Sequence, residues 1–212
     1  IRQIRWNQQF GQQFARLEPR YKSALKVSAR SLMIPADSEE LNVVNRIKTK
    51  GYGKGAKSVM LLAHGAGAPM DSPFMEQLSD ALDRQGIATV RFEFPYMVRR
   101  REDGRKRPPD RMPVLLDSFR AEVARVRDEV SEDCLMLVGG KSMGGRVASM
   151  LASEHAPGIA GVICYGYPFH PPGKPDRWRI DHFSTVGCPM MIVQGTRDPF
   201  GKLEEVAAQG EM

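Results

Sequence analysis

An apolar run, Cys134-Leu135-Met136-Leu137-Val138, opens directly into Gly139-Gly140-Lys141-Ser142-Met143-Gly144-Gly145 and continues as Arg146-Val147-Ala148-Ser149-Met150. The order reads strand, tight turn, helix. So abrupt a turn needs residues without side chains on both sides of its apex: a Cβ there would collide with the neighbouring strand or the new helix, and glycine reaches backbone angles closed to other residues. The spacing Gly140-x-Ser142-x-Gly144 is that of a nucleophile elbow, in which a serine hydroxyl stands exposed above a parallel sheet. Ser142 is therefore a candidate nucleophile. The N–H of Met143, at the start of a helix whose dipole favours negative charge, is a candidate oxyanion donor. Gly140-Lys141-Ser142 also matches the end of a phosphate-binding loop, but that loop needs a glycine where this chain has Leu135 inside the strand. The nucleotide reading fails on spacing. Because the serine pattern is short and arises by chance in Gly-rich turns, the rest of the chain has to test it.

Four further apolar runs of strand length stand at Ser58–Ala63, Ile87–Phe94, Ile159–Tyr167 and Pro189–Gln194, with a candidate edge strand at Asn42–Ile47. Continuous apolar character over so short a length belongs to strands covered on both faces. Helical spacing appears between them, at Phe74–Gln85 before Gly86, at Val114–Glu129 with Leu115, Phe119, Val123 and Val126 on one face, and at Lys202–Ala208. Strands alternating with helices predict an α/β fold with a doubly wound, mostly parallel sheet and helices on both faces.

Ligands of such sheets bind beyond the carboxyl ends of the strands. The first strong strand ends there in His64-Gly65-Ala66-Gly67, a loop whose backbone N–H near Ala66 is a candidate second oxyanion donor. The second ends in Pro95–Arg111, a loop with seven basic and three acidic residues. From it Arg99, Arg100, Arg107 and Arg111 are candidate contacts for a substrate carboxylate or phosphate.

Composition bounds the partners. A chain of 212 residues with 42% hydrophobic content can bury one sizeable core, and no apolar run approaches the ~20 residues of a membrane helix. Cys134, Cys164 and Cys188 lie far apart in apolar surroundings, without metal or redox spacing, and so predict buried thiols in a cytoplasmic, reducing setting. The net charge of +6 is confined to residues 1–32, where seven Lys/Arg face only Glu18. We read 1–32 as a basic arm or upstream extension and 33–212 as the domain, which is neutral. Nucleic-acid contact through the arm is the weakest reading, because no aromatic platform or motif supports it.

Several linked motifs in order resemble one family: His64–Met75 (HGAGAPMDSPFM), Arg91–Met97 (RFEFPYM), Arg107–Arg111 (RPPDR), Gly139–Arg146 (GGKSMGGR), Gly166–Lys174 (GYPFHPPGK) and Gly195–Gly201 (GTRDPFG). Over roughly Val59 to Val206 the chain is similar to the bacterial form of the hydrolase-like family of the third NSL-complex subunit and its testis-expressed relative, within the alpha/beta-hydrolase superfamily. The resemblance implies an alpha/beta-hydrolase fold with Ser142 as nucleophile and Asp198 as triad acid. No substrate follows from it.

In that superfamily the triad runs Ser, Asp, His along the chain, and the family continues past the Asp turn with a strand, a His-bearing loop and a closing helix. Only fourteen residues follow Asp198 here, and none is His. The expectation is therefore a domain that lacks the last strand and helix, with a sheet edge for the arm, a second copy or a partner chain to cover. Among the histidines, His64 suits the oxyanion loop, His155 stands at the far end of the elbow helix and His182 precedes a strand. His170 alone follows a strand on the edge of Ser142, as a substitute base or a pocket residue.

The expected function is hydrolysis of a small ester, thioester or related acyl substrate by a serine hydrolase, through an acyl-enzyme and without cofactor or metal. The alternative is a non-catalytic hydrolase-like binding or scaffold domain that recognises an anionic partner.

Overall fold

The computed structural model describes residues 4–5, 41–43, 46–154 and 158–209. In chain order its elements are β1 (Ile4–Arg5), β2 (Leu41–Val43), β3 (Arg46–Lys48), β4 (Ser58–Ala63), α1 (Pro73–Asp83), β5 (Ala88–Phe92), α2 (Pro95–Asp103), α3 (Met112–Glu129), β6 (Leu135–Lys141), α4 (Met143–Ser153), β7 (Gly161–Tyr165), a 3-10 turn (Phe183–Thr185), β8 (Met190–Val193) and α5 (Leu203–Ala208). His155, most of the basic arm and the last three residues lie outside the described part.

The strands form one sheet in the order β1-β8-β7-β6-β4-β5-β3-β2. The five strands from β8 to β5 are parallel, and the remaining pairings are antiparallel. From β4 the chain first steps outward to β5 and then returns to the other side of β4 as β6. Their divergent ends open a crevice at that reversal, where an α/β sheet places its ligands.

Side-chain alternation divides the core by face. Val59, Leu61 and Ala63 of β4 pack with Phe119 and Val126 of α3 and with Val147, Ala148 and Leu151 of α4. Met60 and Leu62 point the other way, against Met75 and Leu82 of α1. A fully buried side chain of this size contributes about 2 kcal/mol. That is why the apolar runs, rather than local propensity, set the layers.

Three differences from the sequence reading have physical causes. The candidate edge strand at Asn42–Ile47 is a hairpin instead, β2 pairing antiparallel with β3. The basic stretch after β5 is not all loop: Pro95 starts α2, Gly104 in the left-handed region (φ 70°) ends it, and Tyr96 and Met97 are buried beneath it. Thirdly, the outer side of β8 carries β1, with Ile4 opposite Val193 and Arg5 opposite Ile192. Two residues of the basic arm thus occupy part of the edge expected to need covering.

The hairpin is anchored by charge. Arg46 lies in ion-pair contact with Glu122 at 2.9 Å and donates to Glu129 at 2.7 Å, while Lys48 and the Tyr52 hydroxyl reach Glu129 at 2.6 and 2.7 Å. Burial opposes ionisation of Glu129, but bonds from Arg46, Lys48 and Tyr52 outweigh it and hold its carboxyl down at about 2. Among the described residues no helix is long and apolar enough to cross a membrane.

Candidate active site

The elbow is set by backbone approach. A Cβ on Gly140 or Gly144 would overlap the Ala63 carbonyl, one on Gly139 the Ile163 carbonyl, and one on Gly145 would come within 2.8 Å of the Gly140 carbonyl. All four positions are therefore closed to other residues. Ser142, at φ 50° and ψ −114°, is the one non-glycine with positive φ among the described residues. Its N–H is held by the Tyr165 carbonyl at 2.8 Å, and Met143 begins α4 directly after it. Such a conformation costs on the order of 1–3 kcal/mol and persists only where the surroundings enforce it.

Ala63 and Gly140 are paired in register, so the loop after β4 meets the elbow. A Cβ on Gly65 would lie 3.9 Å from that of Ser142. Buried His64 donates from Nδ1 to the Gly65 carbonyl at 2.7 Å and accepts the Phe94 N–H at Nε2 over 3.1 Å. Both bonds together require the neutral Nδ1–H tautomer, and burial pushes its pKa down in agreement. The Tyr96 hydroxyl donates toward the carbonyls of Ala66 (3.1 Å) and Gly65 (3.3 Å). At the loop's far end, Met70 is gripped through both backbone groups: Glu93 accepts its N–H at 3.3 Å and Arg91 donates to its carbonyl at 3.0 Å. Arg101 bridges Glu93 and Asp71, each at 2.6 Å.

A cavity of about 800 Å³ opens beside Ser142, lined among others by Lys141, Tyr165, Arg197, Asp198 and Phe200. Asp198 stands in a tight turn after β8, where its Oδ1 accepts the Phe200 N–H at 3.0 Å. Gln194 ties that turn to the end of β7, accepting the Tyr167 N–H at 2.7 Å and donating to the carbonyls of Tyr167 and Gly201. Ser142 and Asp198, far apart in sequence, thus share one cavity.

Residues 56–212 match the family model described as an alpha/beta hydrolase domain. The chain belongs to the alpha/beta-hydrolase family. Among solved structures, the fold is similar to a dienelactone hydrolase from Anabaena variabilis, at 17% identity over 81% of this chain and 93% of that one, with a TM-score of 0.56. It is also similar to an esterase from Pyrococcus furiosus, at 17% identity over 81% of this chain and 75% of that one, with a TM-score of 0.58. These matches speak to the superfamily and leave the narrower resemblance an expectation.

Among the described residues, no histidine lines the cavity of this alpha/beta hydrolase. His64 is committed to its loop. His170, expected as base or pocket residue, is buried with both ring nitrogens facing oxygens, Pro171 O at 3.0 Å and Glu205 Oε2 at 3.3 Å, and its ring packs edge-on against Trp178. It faces Glu205 of α5 and is not among the described residues lining the cavity. His182 Nε2 meets the Ser149 hydroxyl at 2.8 Å on the far side of α4; burial and then the nearby Arg146 lower its pKa to about 4.

The expected anion contacts also fall elsewhere. Arg99 pairs with Asp110 at 2.6 Å and Arg107 with Asp103 at 2.6 Å, while Asp110 also accepts the Tyr96 N–H at 2.8 Å and so caps α2. Arg100 and Arg111 make no ion pair among the described residues, but neither lines the cavity. The cations beside Ser142 are Lys141 and Arg197, which the sequence reading passed over. Lys141 was legible as the residue before the nucleophile, and Arg197 as the one before Asp198. Among the described residues, no cluster of His, Cys, Asp and Glu is placed to hold a metal ion.

Proposed function

We propose that this alpha/beta hydrolase is a cytoplasmic serine hydrolase that cleaves a small ester, thioester or related acyl compound through an acyl-enzyme. The observation that carries the reading is the strained backbone of Ser142, imposed by four glycines with no room for a Cβ, at the mouth of a cavity that Asp198 shares. Strain of this kind has no packing benefit, and it lifts a hydroxyl clear of the strand end.

Ser142 Oγ adds to the carbonyl carbon as its proton passes to the imidazole of a histidine oriented by Asp198, which later returns it to the leaving group. The charge on the carbonyl oxygen is met by the N–H groups of Met143 and Ala66. Collapse breaks the bond to the alcohol or thiol, which leaves with the proton. Water then attacks the acyl-enzyme by the reverse route, releasing the acid and restoring Ser142. The three unpaired thiols fit a reducing compartment.

Hydrolysis of p-nitrophenyl acetate and of a simple acyl thioester tests the reading. Ser142→Ala is expected to lower kcat at least a thousandfold and Asp198→Asn about a hundredfold or more, with KM little changed. Turnover that survives Ser142→Ala would overturn it.

A further inference from the structure

Several arginines on this molecule are already neutralised. Arg46, Arg99, Arg101, Arg107, Arg120 and Arg125 all sit in ion pairs. Lys141 and Arg197 differ, since both line the cavity beside Ser142 and neither makes an ion pair among the described residues. They stand on separate elements, Lys141 closing β6 and Arg197 in the turn after β8. Asp198, the carboxylate among the described lining residues, has an oxygen committed to the Phe200 N–H.

Lys141 is also held in place. Its Nζ lies 4.5 Å from the centre of the Phe74 ring, and Phe74 packs edge-on against Tyr165 at 6.3 Å. Phe74 is 36% exposed, the rare large apolar side chain left open to solvent. An aromatic face attracts an ammonium without neutralising its charge. The cavity is thus lined by a cation held on an aromatic face, by a second cation from another element and by the nucleophile.

We propose that Lys141 and Arg197 recognise an ionised carboxylate on the substrate, making this a hydrolase of anionic acyl esters such as monoesters of short dicarboxylic acids. The inference rests on the serine-hydrolase reading for its chemistry, but the recognition itself does not need turnover. Two cations without an ion pair among the described residues, lining one open cavity, concentrate negative ligands there, more strongly at low ionic strength.

Two arms test it separately. In the first, glutarate binding is measured by NMR titration of the full chain in the Ser142→Ala background. Binding is expected, and is expected to weaken about tenfold on adding Lys141→Met or Arg197→Gln, with recovery in Lys141→Arg. In the second, kcat/KM is compared for mono-p-nitrophenyl glutarate and p-nitrophenyl valerate, neutral and of equal chain length. The glutarate ester is expected to be preferred, with the preference falling about tenfold in either charge-removing variant and shrinking as salt is raised.

Absence of glutarate binding, or binding indifferent to both substitutions, would overturn the proposal. So would Ser142-dependent hydrolysis that shows no preference for the charged ester. If neither ester is turned over, the serine-hydrolase reading fails while the titration still decides the anion site.

Discussion

Ser142 holds φ 50° where every other positive φ among the described residues belongs to glycine. Releasing that strain should stabilise the fold at the expense of the nucleophile. Ser142→Gly is expected to be about 1 kcal/mol more stable than Ser142→Ala in urea denaturation, because alanine keeps the Cβ penalty and glycine does not. Equal stability of the two would mean the turn is relaxed. Gly144→Ala should act in the opposite direction, since its Cβ would meet the backbone carbonyls of both Ala63 and His64. A loss of about 3 kcal/mol or failure to fold is expected, read from the same denaturation curves. The elbow was legible in the sequence because its requirement is local: four small residues around one serine within seven positions. Lys141 and Arg197 were equally visible, yet nothing in sequence says which of 31 basic residues remains unpaired.

The loop between β4 and α1 is an element made by its neighbours. Its ends are held by His64 and Tyr96 on one side and by Glu93, Arg91 and Arg101 on the other. Arg101→Met should leave the fully buried Glu93 carboxylate without that guanidinium. The cost is expected to be about 2 kcal/mol, with Ser142 labelling slowed about tenfold as the loop loosens. The double variant Arg101→Met/Glu93→Gln should recover most of the stability, because the amide still accepts the Met70 N–H and carries no charge. Failure of the second change to restore stability, read as Tm, would contradict the clamp. Apolar strands were legible as runs, but α2 was hidden by its arginines. Its proline start and glycine stop are ordinary helix signals, masked because charge dominated the reading of Pro95–Arg111.

Across the whole molecule, acid should act in two stages. His182 has a folded pKa near 4 against an ordinary 6.5, so the unfolded chain binds more protons between those values and stability rises with pH across them. Buried, neutral His64 acts in the same direction. Glu129, held near 2 against 4.5, contributes stability that is complete above 4.5 and is lost as pH falls toward 2. Tm is therefore expected to be level above pH 6.5, to decline toward pH 4 and to fall again below 4.5. His182→Gln should flatten part of the first decline, and Glu129→Gln should remove part of the second while lowering Tm at pH 7. The Glu129 network joins residues more than seventy positions apart, which is why no sequence pattern announced it. The layers followed from the apolar runs. The pairing of β1 with β8 did not, because two residues of a polar arm carry no strand signal.

The central claim is an activated serine, and the most direct measurement is intact-mass spectrometry of the protein after incubation with a fluorophosphonate, beside Ser142→Ala. A single adduct present in the first and absent in the second is predicted. No adduct on folded protein, or an adduct that persists in Ser142→Ala, would contradict the account.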